Sequence, residues 1–161
     1  MNNNRGKRNQ KREKKEFDQK LLDLARVTRV VKGGRRFRFR ATLVIGNRKG
    51  KVGVGVAKGA DVSSAIEKAY NSAKKNLIDV KMDGNTIPHD VLKKLKSAKI
   101  LLRPASKGKG IIAGGSVRAV VDLAGIKDIV SKSLGSSNKI NVARATIAAL
   151  EELRDPKFKR R

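Results

Sequence analysis

The first folded stretch of the chain has the residue pattern of three β-strands joined by tight turns. Residues 21–31 are apolar and β-branched, residues 36–41 alternate arginine with an apolar residue, and residues 51–57 alternate valine with glycine. Turn-forming residues separate these runs, at 32–35 and at 47–50. Alternation with a period of two is typical of a strand that has one buried face. The pattern therefore predicts a three-stranded antiparallel meander with one apolar face.

A helix is predicted directly after the meander. Apolar residues from Val62 to Leu77 recur at intervals of three and four, which places them on one face of an α-helix. Asp61 or a neighbouring serine is the expected N-cap, where a side-chain oxygen can accept from a free backbone N–H. We expect the helix to pack on the valine and phenylalanine face of the meander. Gly53 and Gly55 would then leave the opposite face open to close approach by another element.

The second half of the chain mixes short strands and helices. The predicted order is strands near 86–92 and 99–104, a glycine-rich loop at 108–115, a helix at 116–124, a strand at 127–133, and a final helix capped by Asn141 and ended by Asp155-Pro156. The predicted fold class is therefore α+β. We expect an N-terminal β-β-β-α domain over residues 17–80 and a C-terminal α+β domain over residues 81–154.

Both ends of the chain are basic and poor in apolar residues. Residues 1–16 contain seven Lys or Arg and no large apolar residue beyond Met1. Such a segment cannot bury enough surface to offset the entropy lost on ordering, so we predict a disordered basic arm. Residues 155–161 are predicted to form a similar basic tail. Arms of this kind either stay solvated or settle onto a polyanion.

The overall charge indicates a polyanionic partner. Lys and Arg number 40 against 14 Asp and Glu, which gives a formal net charge of +26. Solubility of a small domain needs a net charge of only about 2 to 8, whereas contacts with phosphates release condensed counterions. A membrane is the less favoured polyanion, because no apolar run approaches the roughly 18 residues of a spanning helix and no secretory signal is evident. We therefore expect a nucleic acid.

Composition also excludes several kinds of site. The chain has no cysteine, so neither a disulfide nor a thiolate metal site can form, and its one histidine, His89, cannot form a histidine cluster. Aromatic residues make up 3% of the chain, so rows of bases stacked on exposed rings are not the expected mode of recognition. Acidic residues are scattered among lysines, and no serine has a base near it in motif form. No catalytic set, metal or cofactor is predicted.

The most distinctive basic feature is the turn Lys32-Gly33-Gly34-Arg35-Arg36. Two glycines permit a tight turn and close approach to a ligand, and arginine can hold a phosphate through two hydrogen bonds. The charge continues along the strand through Arg38 and Arg40. This continuity favours RNA contact over the alternative of an exposed hairpin with incidental charge.

A second glycine-rich stretch, Pro104 to Gly115, allows a different interpretation. It contains G-x-G-x-x-A between a predicted strand and helix, and Asp128 lies 20 residues after Gly108, as in a dinucleotide fingerprint. The motif alone is weak, and the chain has no room for a doubly wound sheet. Lys107, Lys109 and nearby backbone amides would hold RNA phosphates equally well. A small-molecule kinase and a DNA-architectural protein stay as alternatives, although no helix-turn-helix or wedge residues are evident for the latter.

Several long motifs resemble the bacterial small-ribosomal-subunit protein S-five family. They are VVKGGRRF, the V-G-x-G-x-A-K strand, PASKGKGIIAGG and SLGSSN-x-INV-x-RAT, in that order between Leu21 and Leu153. The resemblance implies a first domain similar to the double-stranded-RNA-binding fold without its first helix, and a second domain with a left-handed crossover. It also implies binding to small-subunit ribosomal RNA, a position where messenger RNA enters the subunit, and an influence on decoding accuracy.

The resemblance and the basic pattern together define the expected contacts. The predicted RNA-binding residues are Arg29, Lys32, Gly33, Gly34, Arg35, Arg36, Arg38, Arg40, Lys49, Lys51, Lys58, Lys107, Gly108, Lys109, Gly110, Asn138 and Arg144. The resemblance further implies that Gly114, Gly115 and Arg118 face a neighbouring ribosomal protein, S-four, and that S-eight is a second neighbour. We expect a non-enzymatic protein of the ribosome in the cytoplasm.

Overall fold

The computed structural model describes residues 16–155, which form two four-stranded sheets and three helices. This mixed architecture agrees with the predicted α+β class. The predicted basic arm and basic tail lie, apart from Glu16 and Asp155, outside the described residues. None of the helices in the described part of the chain is long and apolar enough to cross a membrane.

The first sheet contains the predicted meander and one additional strand. Strands β1 (Asp18–Val31), β2 (Gly34–Gly46) and β3 (Lys51–Gly59) are antiparallel neighbours. Helix α1 (Val62–Lys75) follows, and β4 (Leu77–Asp79) then pairs with the start of β3. Leu77 therefore belongs to a strand and not to the predicted helical stripe. Three residues are too few for alternation to reveal a strand in the sequence.

Helix α1 packs on the face that carries Phe39 of β2, as predicted, but β3 presents its glycines on this face and not its valines. A Cβ atom added to Gly53 would lie 2.7 Å from the Ala73 carbonyl oxygen, and one added to Gly55 would lie 2.1 Å from the Ala69 carbonyl oxygen. Because side chains are missing at these two strand positions, the α1 backbone lies directly against β3. The same core contains alternate residues of β2, namely Ala41, Leu43 and Ile45.

The valines of β3 point to the other side of the sheet. Val52 and Val54 are buried there with Val44 of β2, in a core that also contains Val117 of the C-terminal half. The first sheet is therefore covered on both faces. The prediction of a single apolar face was wrong, because residues 41–46 form a continuous buried run, as expected of a strand with both faces covered.

The second sheet has the strand order β5-β6-β8-β7. Its strands are β5 (Val91–Leu95), β6 (Ala98–Pro104), β7 (Ile111–Ile112) and β8 (Ile129–Ser133), and its helices are α2 (Gly115–Ala124) and α3 (Lys139–Glu151). Strands β7 and β8 are parallel and are connected through α2, whereas the other neighbouring pairs are antiparallel. Most of the larger core lies between this sheet, α2, α3 and the valine face of the first sheet.

The start of this second half differs from the prediction. The strand expected at 86–92 begins only at Val91. His89 lies in the loop before it, where Nε2 accepts a hydrogen bond from the Arg154 amide at 3.1 Å. The loop predicted at 108–115 also contains the short strand β7, which two residues of alternation could not reveal.

The last helix is capped three residues earlier than predicted. The Asn138 side-chain oxygen accepts from the amides of Ile140, at 3.0 Å, and Asn141, at 3.5 Å. Asn141 itself lies inside the helix, and its side-chain amide reaches the Ser97 hydroxyl at 3.3 Å. Asparagine is favoured at N-caps, so the sequence allows either Asn138 or Asn141 in this role. The path of the preceding loop determines which of the two caps the helix.

The β2–β3 turn connects the two halves of the chain. The amides of Arg48 and Gly50 donate to the carbonyl oxygens of Leu123 and Ala124, each at 2.9 Å. These carbonyls lie in the last turn of α2, where helix carbonyls have no partner within the helix. Together with the shared core, these bonds hold the first sheet in one orientation against α2.

Candidate nucleic-acid interface

A two-stranded ribbon projects from the first sheet. The last pair between β2 and β3 joins Phe39 to Gly59, so residues 34–38 of β2 pair with β1 alone. Val31 pairs with Gly34, which leaves Lys32 and Gly33 as the turn at the tip. Gly34 has a φ of 140°, a conformation that side-chain-bearing residues rarely adopt. The predicted KGGRR turn is thus the exposed end of a projecting hairpin.

One side of this ribbon, which we name the arginine face, carries Arg29, Arg36, Arg38 and Lys58. The strand register places Arg29 directly opposite Arg36, and places Arg38 opposite Val27. All four cationic residues are exposed, and they line one shallow pocket together with Val27, Thr28 and Val31. Like charges placed directly across a strand pair destabilise it. An anion bound over the face reduces this repulsion between the cations, and a row of RNA phosphates supplies such anions.

Arg40 lies at the base of the arginine face and has a different environment. One of its terminal nitrogens is 3.7 Å from a carboxylate oxygen of Asp23. The other oxygen of Asp23 accepts from Lys139 Nζ, at 3.0 Å. Arg40 is 34% exposed, and its Nε atom is buried without a hydrogen-bond partner. This arginine therefore links β2 to β1 and the start of α3, and it is less available to RNA than the arginines nearer the tip.

The second predicted basic turn lies at the opposite end of β2. Strand β2 contains 13 residues, which at about 3.3 Å each separate its two ends by roughly 40 Å. Asn47 Oδ1 holds the turn by accepting from the amides of Lys49, at 2.8 Å, and Lys51, at 3.0 Å. Lys49 is exposed, whereas Lys51 Nζ lies 3.9 Å from Asp79. These lysines cannot belong to the same contact as the hairpin tip.

The glycine-rich loop is held from below by a buried carboxylate. Asp128 is 4% exposed, and its Oδ1 atom accepts from the amides of Gly108, at 3.0 Å, and Gly110, at 2.8 Å. Lys107 and Lys109 point from the same loop and are exposed. The two glycine amides are therefore satisfied inside the protein. Phosphate contacts at this loop stay a prediction, and they would depend on the two lysines.

The residues expected to face a protein neighbour lie at the start of α2. Gly114 is the N-cap of this helix, and Gly115 is its first residue. Arg118 donates from Nη2 to the Ile111 carbonyl oxygen, at 2.8 Å. Arg118 also lines an open pocket with Arg48 and other residues at the C-terminal end of α2. This pocket lies at the joint between the two halves.

The two predicted contacts in α3 differ in availability. The side-chain oxygen of Asn138 is already used as the helix cap, so it is not free to accept from RNA. Arg144 is exposed and lines a groove with Val56 and Ser72, away from the ribbon. The predicted RNA-binding residues thus form several separate groups rather than one site. The largest group is the hairpin with its arginine face.

Comparisons with known proteins decide the family. Residues 17–81 match the family model described as "Ribosomal protein S5, N-terminal domain", and residues 93–160 match "Ribosomal protein S5, C-terminal domain". Two relatives, each named "Small ribosomal subunit protein uS5", come from Campylobacter jejuni subsp. jejuni serotypes O:23/36 and O:6. Each is 57% identical over 145 residues, which cover 90% of this chain and 99% of the relative. The chain belongs to the ribosomal protein S5 family.

Membership of the ribosomal protein S5 family confirms the resemblance seen in the motifs. The hydrogen bonds of Asp128 give the glycine-rich loop a role different from that of a dinucleotide site. The 20-residue spacing from Gly108 to Asp128, which resembled a ribose-binding arrangement, instead brings the carboxylate under the loop. The spacing was visible in the sequence, but this structural role was not.

Sequence reasoning missed one cation of the ribbon. Arg26 lies on the side opposite to the arginine face, with its guanidinium carbon 4.5 Å from the centre of the Phe37 ring. A signal was present in the sequence, because Arg26 and Arg29 are an odd number of residues apart and so occupy opposite faces of a regular strand. The ribbon is therefore basic on both sides.

Proposed function

We propose that the chain is a structural, non-enzymatic component of the small ribosomal subunit in the cytoplasm, where it binds small-subunit ribosomal RNA. The observation that carries this proposal is the arginine face on a projecting hairpin. Four exposed cations lie there side by side, and the carboxylate of Asp23 pairs with Arg40 at the base and with Lys139, not with any of the four. Family membership supports the choice of ribosomal RNA among the possible polyanions.

The mechanism we propose is contact through shape and charge. Arginines of the ribbon neutralise closely spaced phosphates, and Lys107 and Lys109 provide a second contact. Double-stranded RNA has a deep, narrow major groove that side chains cannot read, so recognition of backbone geometry should dominate over reading of bases. The two sheets share one core and are joined at the β2–β3 turn. This rigid body would fix the relative positions of separate RNA segments.

The finer domain assignment is part of the same proposal. We infer that residues 17–80 form a domain similar to the double-stranded-RNA-binding fold, and that residues 81–154 form a small α+β domain with a left-handed crossover. The β1-β2-β3-α1 order supports the former. The parallel strands β7 and β8, connected through α2, supply the unit in which a crossover would lie.

We further propose that this protein contacts neighbouring ribosomal proteins, chiefly S-four and also S-eight. The start of α2, with Gly114, Gly115 and Arg118, would face S-four. Exposure of all three residues supports this assignment. By these contacts the protein would support assembly of the subunit, the passage of messenger RNA into it, and decoding accuracy.

Salt-dependent RNA binding tests the proposal. Replacing Lys32, Arg35 and Arg36 by glutamine should weaken binding to folded small-subunit ribosomal RNA. The slope of log affinity against log salt concentration should fall by roughly 2 to 3, since each phosphate contact contributes about 0.7 to 0.9. A matched control replaces Lys94, Lys96 and Lys99, three exposed lysines of the β5–β6 hairpin that are not in the predicted set. Equal losses in the two variants would show that only bulk charge matters.

Two further titrations separate the rival functions. We expect folded ribosomal RNA to bind more tightly than duplex DNA of similar length at moderate salt, and equal affinities would favour a DNA-architectural protein. A calorimetric titration with ATP should show no tight uptake, because Asp128 already occupies the loop amides. Tight uptake of ATP would support the kinase alternative.

A further inference from the structure

The hairpin ribbon has a second exposed side with a different chemistry. The register pairs Thr28 with Phe37 and Val30 with Arg35, and these residues alternate with those of the arginine face. Phe37 is 48% exposed and Val30 is 76% exposed. An aromatic ring therefore stands half in solvent on a strongly basic hairpin.

Packing among the described residues does not account for an aromatic residue at this position. Phe39, two residues further along β2, packs against the core between the first sheet and α1. Phe37 belongs to neither apolar core of the described chain. It lies beyond the last residue pair that joins β2 to β3, where only β1 is beside it.

The ring has a cationic neighbour that holds it in place. The guanidinium carbon of Arg26 lies 4.5 Å from the centre of the Phe37 ring, a cation–π contact. Arg26 and Arg35 are both exposed on this side of the ribbon. A flat ring is thus bordered by cations in two directions along the hairpin.

We propose that Phe37, braced by Arg26, is a stacking site for one unpaired base of the bound RNA. An unpaired nucleotide presents a flat base and a phosphate, and single-stranded elements are recognised by stacking on aromatic rings beside cationic side chains. An apolar surface of a protein neighbour fits less well, because it would desolvate Arg26 and Arg35 without giving them a partner. The inference rests on the proposed RNA-binding function. It adds a contact with a base to an RNA interface that is made mostly through phosphates.

The dependence of binding on salt distinguishes stacking from charge. Phe37→Leu should weaken binding of the full chain to small-subunit ribosomal RNA by roughly 5- to 150-fold, the range of base–aromatic stacking. The salt slope should stay unchanged, since no phosphate contact is lost. Phe37→Tyr keeps the ring and should bind as the wild type does. Thermal unfolding of both variants serves as the folding control.

These outcomes separate the stacking proposal from the broader function. Wild-type affinity in Phe37→Leu would overturn the stacking site, while the variant that replaces Lys32, Arg35 and Arg36 would still test RNA binding by itself. A reduced salt slope in Phe37→Leu would also count against stacking, because it would mean that the ring only positions nearby cations.

Fluorescence gives an independent test, because the chain contains no tryptophan. Phe37→Trp would introduce one reporter, and its emission should be quenched when ribosomal RNA binds and a base stacks on the indole. Leu92→Trp is the matched control, since Leu92 is 53% exposed and lies in the second sheet. Equal quenching at the two positions would overturn the proposal. Quenching that develops only after other subunit proteins are added would assign the site to a protein neighbour instead.

Discussion

Replacing Gly55 by alanine tests the packing of α1 on β3. A Cβ atom at this position would lie 2.1 Å from the Ala69 carbonyl oxygen and 2.6 Å from the Ala73 amide nitrogen. Both are backbone atoms of a helix, so no flexible side chain can move aside. The helix must shift away from the sheet, which loosens the core that contains Leu43 and Ile45.

The size of the effect follows from the cost of overpacking. Added methyl groups in well-packed cores cost about 1–3 kcal/mol, and a clash with helix backbone should lie at the upper end. A loss of about 3 kcal/mol corresponds to a fall in Tm of roughly 6–12 °C for a chain of this size. Thermal and urea unfolding at one fixed salt concentration would measure the change.

Gly33→Ala is the matched control for this experiment. A Cβ atom added to Gly33 meets nothing within 4 Å, and the residue does not have a left-handed φ. Both variants share the entropy change that a glycine-to-alanine replacement makes in the unfolded chain, about 0.4–1 kcal/mol. We expect Gly33→Ala to unfold close to the wild type. Equal Tm values for the two variants would refute the packing of α1 on the glycine face.

Three further variants test individual contacts. Asn138→Ala should lower the free energy of unfolding by about 1 kcal/mol because α3 loses its cap; Asn138→Ser should restore most of it, and identical Tm values for both variants would argue against the cap. Asp128→Ala should cost about 1–3 kcal/mol, since two amides lose their acceptor. Hydrogen exchange at Gly108 and Gly110 should then quicken, and unchanged exchange would show that the carboxylate does not hold the loop. Asp79→Asn should change stability by less than about 1 kcal/mol, because its pair with Lys51 is exposed; a larger loss in urea unfolding would mean that the pair is more than a surface contact.

The candidate site was only partly predictable. The basic turn at Lys32–Arg36 was evident, because glycines and arginines are adjacent in the chain. The separate environment of Arg40 was not, because its partner Asp23 lies on another strand and Lys139 lies in the last helix. The use of Asn138 as a helix cap was missed for a similar reason, since a second asparagine three residues later suits the same role.

The sequence by itself determined most elements, the turns between them and the family, and it predicted a polyanionic partner. These follow from local patterns: periodicity sets the helix and strands, glycine pairs set the turns, and charge density sets the kind of partner. The tertiary structure alone decided which face of the first sheet meets α1 and which meets the second half of the chain. Both faces are apolar enough to be buried, so the choice depends on where a helix backbone can approach. Gly53, Gly55 and Gly59 of β3 provide that space for α1, while the valines of β3 fill the core shared with α2 and α3.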